Sequence, residues 1–399
     1  MSGRRIPVNL TAAGERALRA GHPWLFDGAV ASVKKPGKAG DLAVIFSHKK
    51  NKFIGVGLYD PDSPIRIRVL HQGAPLRIDT AFFRARARDA KQRRKALLES
   101  DTDGYRLIHG ENDGFPGLVV DVYAGVAVIK VYSPVWFPWL GELLPLLVES
   151  AGATTAVLRT SRNATTAAAA YGYTPGQVLH GTLPDPEVIF REHGLKFVAN
   201  VIHGHKTGFF LDHRANRKRV GELSRGLDVL DVFSYAGGFS VHALGGGARS
   251  VVSLDISEPA LALARRNATL NFGPDDRHET LAADAFAGLA ALGEEGRSFG
   301  LVIVDPPSFA KREREVPGAL DAYRRINRLA IPLVAPGGIL LAASCSARVP
   351  AEDFFAVVEG VLTASGRSWK LLERTYHDED HPIGFTEGAY LKSGYYRLG

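Results

Sequence analysis

The stretches DVFSYAGGFSVHA, SLDIS, ADAF, VIVDPPSFAK and LAASCSARVP each contain or follow an apolar run, and each carries residues with a chemical use. In the first, Gly237 and Gly238 permit a tight turn and a close backbone approach to a ligand. Their spacing is not the GxGxxG of a dinucleotide fold. In the second, Asp255 can accept both hydroxyls of a ribose lying across that turn. Asp284 offers an acceptor to an adenine amino group and Phe286 a face for the ring. One such acid alone reads as a helix cap. A glycine turn followed by two acids at successive strand ends favours an adenosine-type cofactor. Asp305, Pro306 and Pro307 form a rigid lip, because two prolines fix φ and keep the chain from entering a helix. Cys345 is the only cysteine of the 399 residues and so cannot form an internal disulfide. It is either a reactive thiol or inert packing.

Strands and helices must bring these stretches together. From about residue 190 onward, LDVLDVF, SVVSLDIS, ETLAADA, LVIVDPP, GILLAAS, WKLLERTY and YLKSGYYRL read as strands, most of them separated by helical segments. Alternation of this kind predicts a parallel, doubly wound α/β sheet, whose ligands bind beyond the carboxyl ends of the strands. Residues 1–75 hold short strands such as DLAVIF, FIGVGLYDPDSP and IRIRVL with turn signals between them, as in a small β-rich module. Residues 76–190 read as a compact α+β unit. They begin with a basic helix and continue through two strands around Tyr123-Ala124-Gly125 and the apolar helix WFPWLGELLPLLVESAG. The third domain spans 191–399.

With 45% hydrophobic residues the chain can bury a large core, and the single thiol suits a reducing cytosol. The opening MSGRRIPVNLTAAGERALRAG is charged and lacks an apolar signal core, and no run reaches the roughly 18 apolar residues that span a bilayer. A cytoplasmic protein without membrane partners is the expectation. The formal charge of +7 is modest, but it is unevenly placed. The segment RIDTAFFRARARDAKQRRKALLES carries Arg84, Arg88 and Arg94 among other cations. It is either a solvated helix face or a stripe that tracks nucleic-acid phosphates. No metal ligand set is assigned.

Residues 228–346 resemble the class I S-adenosylmethionine (SAM)-dependent methyltransferases. Over nearly its whole length the chain is similar to the bacterial 23S ribosomal RNA (cytosine-C5)-methyltransferases with an N-terminal PUA domain. The matching motifs are HPWLFDGAV, YRLIHGENDGFPGLVVD, HGHKTGFFLDHR, FSYAGGFSVHAL, VDPPSF, SCS and DHPIGFTEGAYLK. The resemblance implies an RNA-binding PUA-like domain, a small α+β domain and a Rossmann-like catalytic domain. It places SAM against Phe233, Ser234, Tyr235, Gly237, Asp255, Asp284, Phe286 and Asp305. It makes Lys206, Thr207, Gly208 and Asp212 of HGHKTGFFLDHR the lead-in to that pocket, with Lys206 suited to a methionine carboxylate. Ribosomal RNA as partner, and a homodimer, come with the same resemblance.

In that setting Cys345 has a role. Carbon 5 of cytosine is a poor nucleophile until a thiolate adds to carbon 6. Asp305 would either hold protonated nitrogen 3 of the base or orient cofactor and substrate. Some related RNA cytosine methyltransferases place a second cysteine after the proline of the fourth-strand motif, where this chain has Ser308 after Pro307. Two other functions stay open. One is an RNA N-methyltransferase, in which the Asp-Pro-Pro segment grips an amino-bearing base. The other is a non-catalytic RNA-binding assembly factor.

Overall fold

A computed structural model describes residues 3–399, so the first two residues of the charged opening lie outside the described residues. The chain divides into two compact units. The first comprises the chain up to Arg191 together with Ala199–Leu211 and Glu379–Phe385. The second comprises Glu192–Val198, Asp212–Asp378 and Thr386–Gly399. The two N-terminal modules therefore fall in one unit, and the chain crosses into the second within the hairpin of Glu187–Glu192 and Leu195–Asn200.

In the first unit, one sheet has the order Trp24–Phe26, Ile65–Gln72, Phe53–Tyr59, Leu42–Phe46, Arg5–Leu10, Val30–Val33. Its inward side chains, Ile6, Val8, Leu25, Ile45 and Ile67 among them, close on Leu18 of the helix Ala12–Arg19. A second sheet runs from Val178–His180 through Thr155–Thr160, Val126–Val131 and Leu118–Tyr123 to Gly104–His109. The expected hairpin turns at Ala124 and Gly125, whose φ values of 45° and 84° are those of a tight turn that follows the strand twist. Helices Thr80–Arg93 and Phe137–Ala151 cover the sheet through Phe83, Trp139 and Leu143, with Trp136 just before the second helix packed beside them.

The second unit is built on β1 (Asp228–Val232), β2 (Ser250–Asp255), β3 (His278–Ala282), β4 (Phe299–Val304), β5 (Val334–Ser344), β6 (Trp369–Thr375) and β7 (Lys392–Leu398). Helices α1 (Arg214–Leu223), α2 (Gly238–Gly245), α3 (Glu258–Phe272), α4 (Ala285–Glu294), α5 (Val316–Ala330) and α6 (Ala351–Ala364) accompany them. The strand order is β3-β2-β1-β4-β5-β7-β6. The first five strands pair in parallel, as the alternation predicts, while β7 runs antiparallel to both β5 and β6. The antiparallel β7 departs from the parallel pairing that the alternation predicts for the rest of the sheet. The segment between β6 and β7 contains no α-helix to carry the chain back for a parallel return. The order reverses between β1 and β4, which puts the cleft for a ligand at their carboxyl ends. Among the described residues no helix is long and apolar enough to cross a membrane.

Candidate active site

The turn after β1 is held in an unusual backbone. Phe233 and Tyr235 have φ of 65° and 47°, a region that side chains with a Cβ seldom occupy, and Gly237 follows at 71°. The bonds that keep them there come from β2 and α3. Phe233 and Ser234 donate their N–H groups to Leu254 O at 2.9 and 3.1 Å, and Asn267 of α3 donates its side-chain amide to Ala236 O at 2.9 Å. A Cβ at Gly237 would meet Ala264 Cβ at 2.8 Å, so only glycine lets α3 pack this close.

Asp255 at the end of β2 accepts the Tyr235 N–H on Oδ2 and the Ser257 N–H on Oδ1, both at 2.9 Å. Each oxygen keeps a second lone pair for a ribose hydroxyl. Ile256 beside it is 74% exposed, an apolar surface suited to a base ring that was not singled out in the sequence. Asp284 caps α4, with Oδ1 accepting from the Phe286 and Ala287 N–H groups. The helix-cap role is thus real, and it leaves Oδ2 outside the cap. Phe286 is half-buried, with the Arg325 guanidinium 4.9 Å from its ring centre.

Ser234 Oγ is buried and has no hydrogen-bond partner among the described residues. An orphaned hydroxyl is costly unless a ligand completes it. Beside it, a carboxylate with spare lone pairs and a glycine turn fit a nucleoside-bearing cofactor such as SAM. Beneath the turn, buried Asp231 accepts from the Ser240 N–H at 3.1 Å and the Ser240 hydroxyl at 2.6 Å on one oxygen, while Oδ1 has no partner among the described residues. Burial pushes its carboxyl up to about 7.

Asp305, at the end of β4, faces His213. His213 Nε2 stands 3.2 Å from Asp305 Oδ1, and the imidazole is buried edge-on to Phe239. Its Nδ1 lies 3.1 Å from Asn216 Nδ2, and Asn216 Oδ1 accepts from the Thr375 and Tyr395 hydroxyls. Burial acts to lower the imidazole, but the Asp305 and Asp212 carboxylates outweigh it and hold His213 above its ordinary value. Asp212 itself accepts from the Tyr390 hydroxyl at 2.9 Å.

Cys345 follows the last residue of β5, and its S–H donates to the carbonyl of Pro306 over 3.8 Å. The lone thiol therefore lies against the Asp-Pro-Pro lip. Its flanking serines turn the other way: Tyr323 of α5 brings its hydroxyl to 2.7 Å from Ser344 Oγ and 3.0 Å from Ser346 Oγ. Ser308, in place of the second cysteine of some relatives, lies 3.1 Å from Ser346 Oγ.

Other expected residues belong to the first unit. Lys206, Thr207 and Gly208 are among them; Thr207 donates to Asp121 at 2.5 Å and Lys206 places its ammonium 4.6 Å from the Phe210 ring centre. Arg84 and Arg88 are exposed on the basic helix, Arg84 beside Glu149 and Arg88 beside Asp89. Arg94 corrects the expected stripe. It is fully buried, bonded through both terminal nitrogens to Asp113 at 2.9 and 2.6 Å, and donates to the carbonyls of Ala90, Arg106 and Asp380. With those donors engaged it cannot track phosphates.

The strand order with an antiparallel seventh strand, and ligand-ready groups at the ends of β1, β2 and β4, define a class I methyltransferase domain. A family model for S-adenosylmethionine-dependent methyltransferase matches residues 106–384, and one for a PUA-like domain matches residues 8–72. The chain belongs to the SAM-dependent methyltransferase family and carries an N-terminal PUA-like domain. It is 46% identical to the "Ribosomal RNA large subunit methyltransferase" of Deinococcus radiodurans, over 100% of this chain and 98% of that one. It is 36% identical to "Ribosomal RNA large subunit methyltransferase I" of Shewanella amazonensis, over 97% and 98% of the two chains. SMU.776, solved in complex with SAH, superposes with a TM-score of 0.83 at 20% identity, covering 99% of this chain and 100% of its own.

Proposed function

We propose that this methyltransferase acts on large-subunit ribosomal RNA and methylates carbon 5 of a cytosine, with Cys345 as the nucleophile. The observation that carries the reading is the contact of the Cys345 thiol with Pro306 O, which sets the chain's one thiol beside Asp305 on neighbouring strand ends. The names of the relatives support the RNA class. Bound SAM supplies an electrophilic methyl group. The chain's own part begins with the Cys345 thiolate adding to carbon 6, which moves the electrons of the C5–C6 double bond toward carbon 5. Asp305, with Oδ1 3.2 Å from His213 Nε2, has Oδ2 to accept the N–H of protonated nitrogen 3 of the base, and that proton neutralises the charge that addition to carbon 6 sends there. After methylation solvent water takes the proton from carbon 5, its electrons re-form the C5–C6 double bond as the S–C6 bond breaks, and the thiolate is restored.

An amino-methylating enzyme would need an aromatic side chain after the prolines to hold the base. Phe309 instead packs its ring 5.1 Å from Tyr323, which counts against that reading. Action in the cytoplasm, and a homodimer, belong to the same proposal. Nucleoside mass spectrometry of 23S ribosomal RNA treated with the protein and SAM tests it. The expected product is 5-methylcytidine at one position, and an N-methylated nucleoside would overturn the assignment.

A further inference from the structure

We propose that Lys392 is a positioning residue for Cys345, its buried ammonium pinning the loop that carries the thiol and favouring the thiolate form. The proposal rests on Cys345 acting as the nucleophile. Lys392 begins β7 directly opposite Ser344, the residue before the cysteine. Its side chain is buried, and Nζ donates to Ser346 O at 2.5 Å, Val349 O at 2.7 Å and Tyr390 O at 3.2 Å. Three carbonyl acceptors match the three N–H groups of an ammonium, whereas a neutral amine has two.

Two of those carbonyls lie on the turn just after Cys345, so the charge and the loop geometry are tied together. Tyr323 grips the same loop from the other side through Ser344 and Ser346. The thiol is thus carried on a segment clamped from β7 and from α5.

Among the described residues no carboxylate is a hydrogen-bond partner of Lys392. Burying a cation against neutral carbonyls alone is unfavourable, and a nearby anion offsets it. Burial lowers Lys392 to about 8, and the charge of Cys345 acts in the opposite direction. The coupling is mutual: a thiolate that raises the lysine is itself favoured by the ammonium to the same extent. Tyr323 also interacts with the thiol. Tyr323 of α5 is pushed up to about 12 by burial, so its phenol is neutral at working pH. Lys392 supplies a cation beside the thiol.

Because Cys345 is the only cysteine, alkylation by iodoacetamide followed by intact-mass spectrometry reads its ionisation directly in the full-length protein. Lys392→Met should move the midpoint of the alkylation–pH profile upward by about one unit and slow alkylation at neutral pH about tenfold, because the thiolate is the reacting form. Lys392→Arg, which keeps the charge, should stay near wild type. Should the Met variant fail to fold, as judged by circular dichroism, Lys392→Gln carries the same test, since its amide donates to the carbonyls without charge. A midpoint unmoved in the neutral variant, or moved equally in the Arg variant, overturns the proposal. The readout needs no turnover, so it is separable from failure of Cys345 as nucleophile, which is judged by the covalent adduct with RNA.

Discussion

His213 Nε2 stands 3.2 Å from Asp305 Oδ1, and the far side of the same imidazole is fixed by Asn216, itself held by two hydroxyls. The imidazole beside Asp305 is therefore set by a chain of side chains. His213→Ala should lower kcat about tenfold by removing the imidazole beside Asp305, while SAM affinity stays within about twofold. Steady-state methyl transfer and calorimetry separate the two quantities. An alanine variant with unchanged kcat would place His213 outside the chemistry.

Asp255 at the end of β2 accepts the backbone N–H groups of Tyr235 and Ser257. Asp255→Ala should weaken SAM binding roughly ten- to a hundredfold and RNA binding much less. Titration calorimetry with SAM is the check, and an unaltered dissociation constant removes Asp255 from the site.

The basic helix divides into two kinds of arginine. Neutralising exposed Arg84 and Arg88 to glutamine should flatten the salt dependence of RNA binding, by about 0.7 in log-log slope for each single-strand phosphate that the arginines cease to neutralise. Filter binding across a salt series measures it, and an unaltered slope makes the stripe a solvated face. Arg94→Ala should act on the fold instead. It leaves Asp113 buried with reduced compensation, which costs about 3 to 5 kcal/mol in urea unfolding.

Asp231 links stability to pH. Its folded value, pushed up to about 7 by burial, lies above the ordinary carboxylate value of 3.8. The folded state thus binds the extra proton, and the stabilisation is fully present below the ordinary value and is lost as pH rises through the folded one. Asp231→Asn should remove that part of the slope between these pH values. Equal slopes in urea melts of the two proteins would show that Asp231 ionises alike in the folded and unfolded chains.

The strand ends were legible because apolar runs followed by Gly237, Asp255, Asp284 or Asp305 are local signals. The turn at Ala124 and Gly125 was legible for the same reason. The antiparallel β7 was not, since apolar periodicity carries no direction. The helix Ala12–Arg19 was missed although Thr11 caps it, accepting the Gly14 N–H at 3.1 Å. Arg94 was misplaced because the long helix ends at Arg93, and the partner that buries Arg94 is 19 residues away. His213, Tyr323 and Lys392 acquire their roles from contacts made across different elements. Lys392 meets Ser346 across 46 residues, and no spacing in the sequence announces that pairing.

The central claim is the bond between Cys345 and the base, and a trapped adduct reads it most directly. A large-subunit RNA fragment carrying 5-fluorocytosine at the target should accept the methyl group and then stall, because fluorine cannot leave carbon 5 as a proton does. Denaturing electrophoresis and peptide mass spectrometry should then show a SAM-dependent covalent complex at Cys345, absent in Cys345→Ala, whose SAM binding persists. Methylation without an adduct, or turnover by the alanine variant, would contradict the thiol's role as nucleophile.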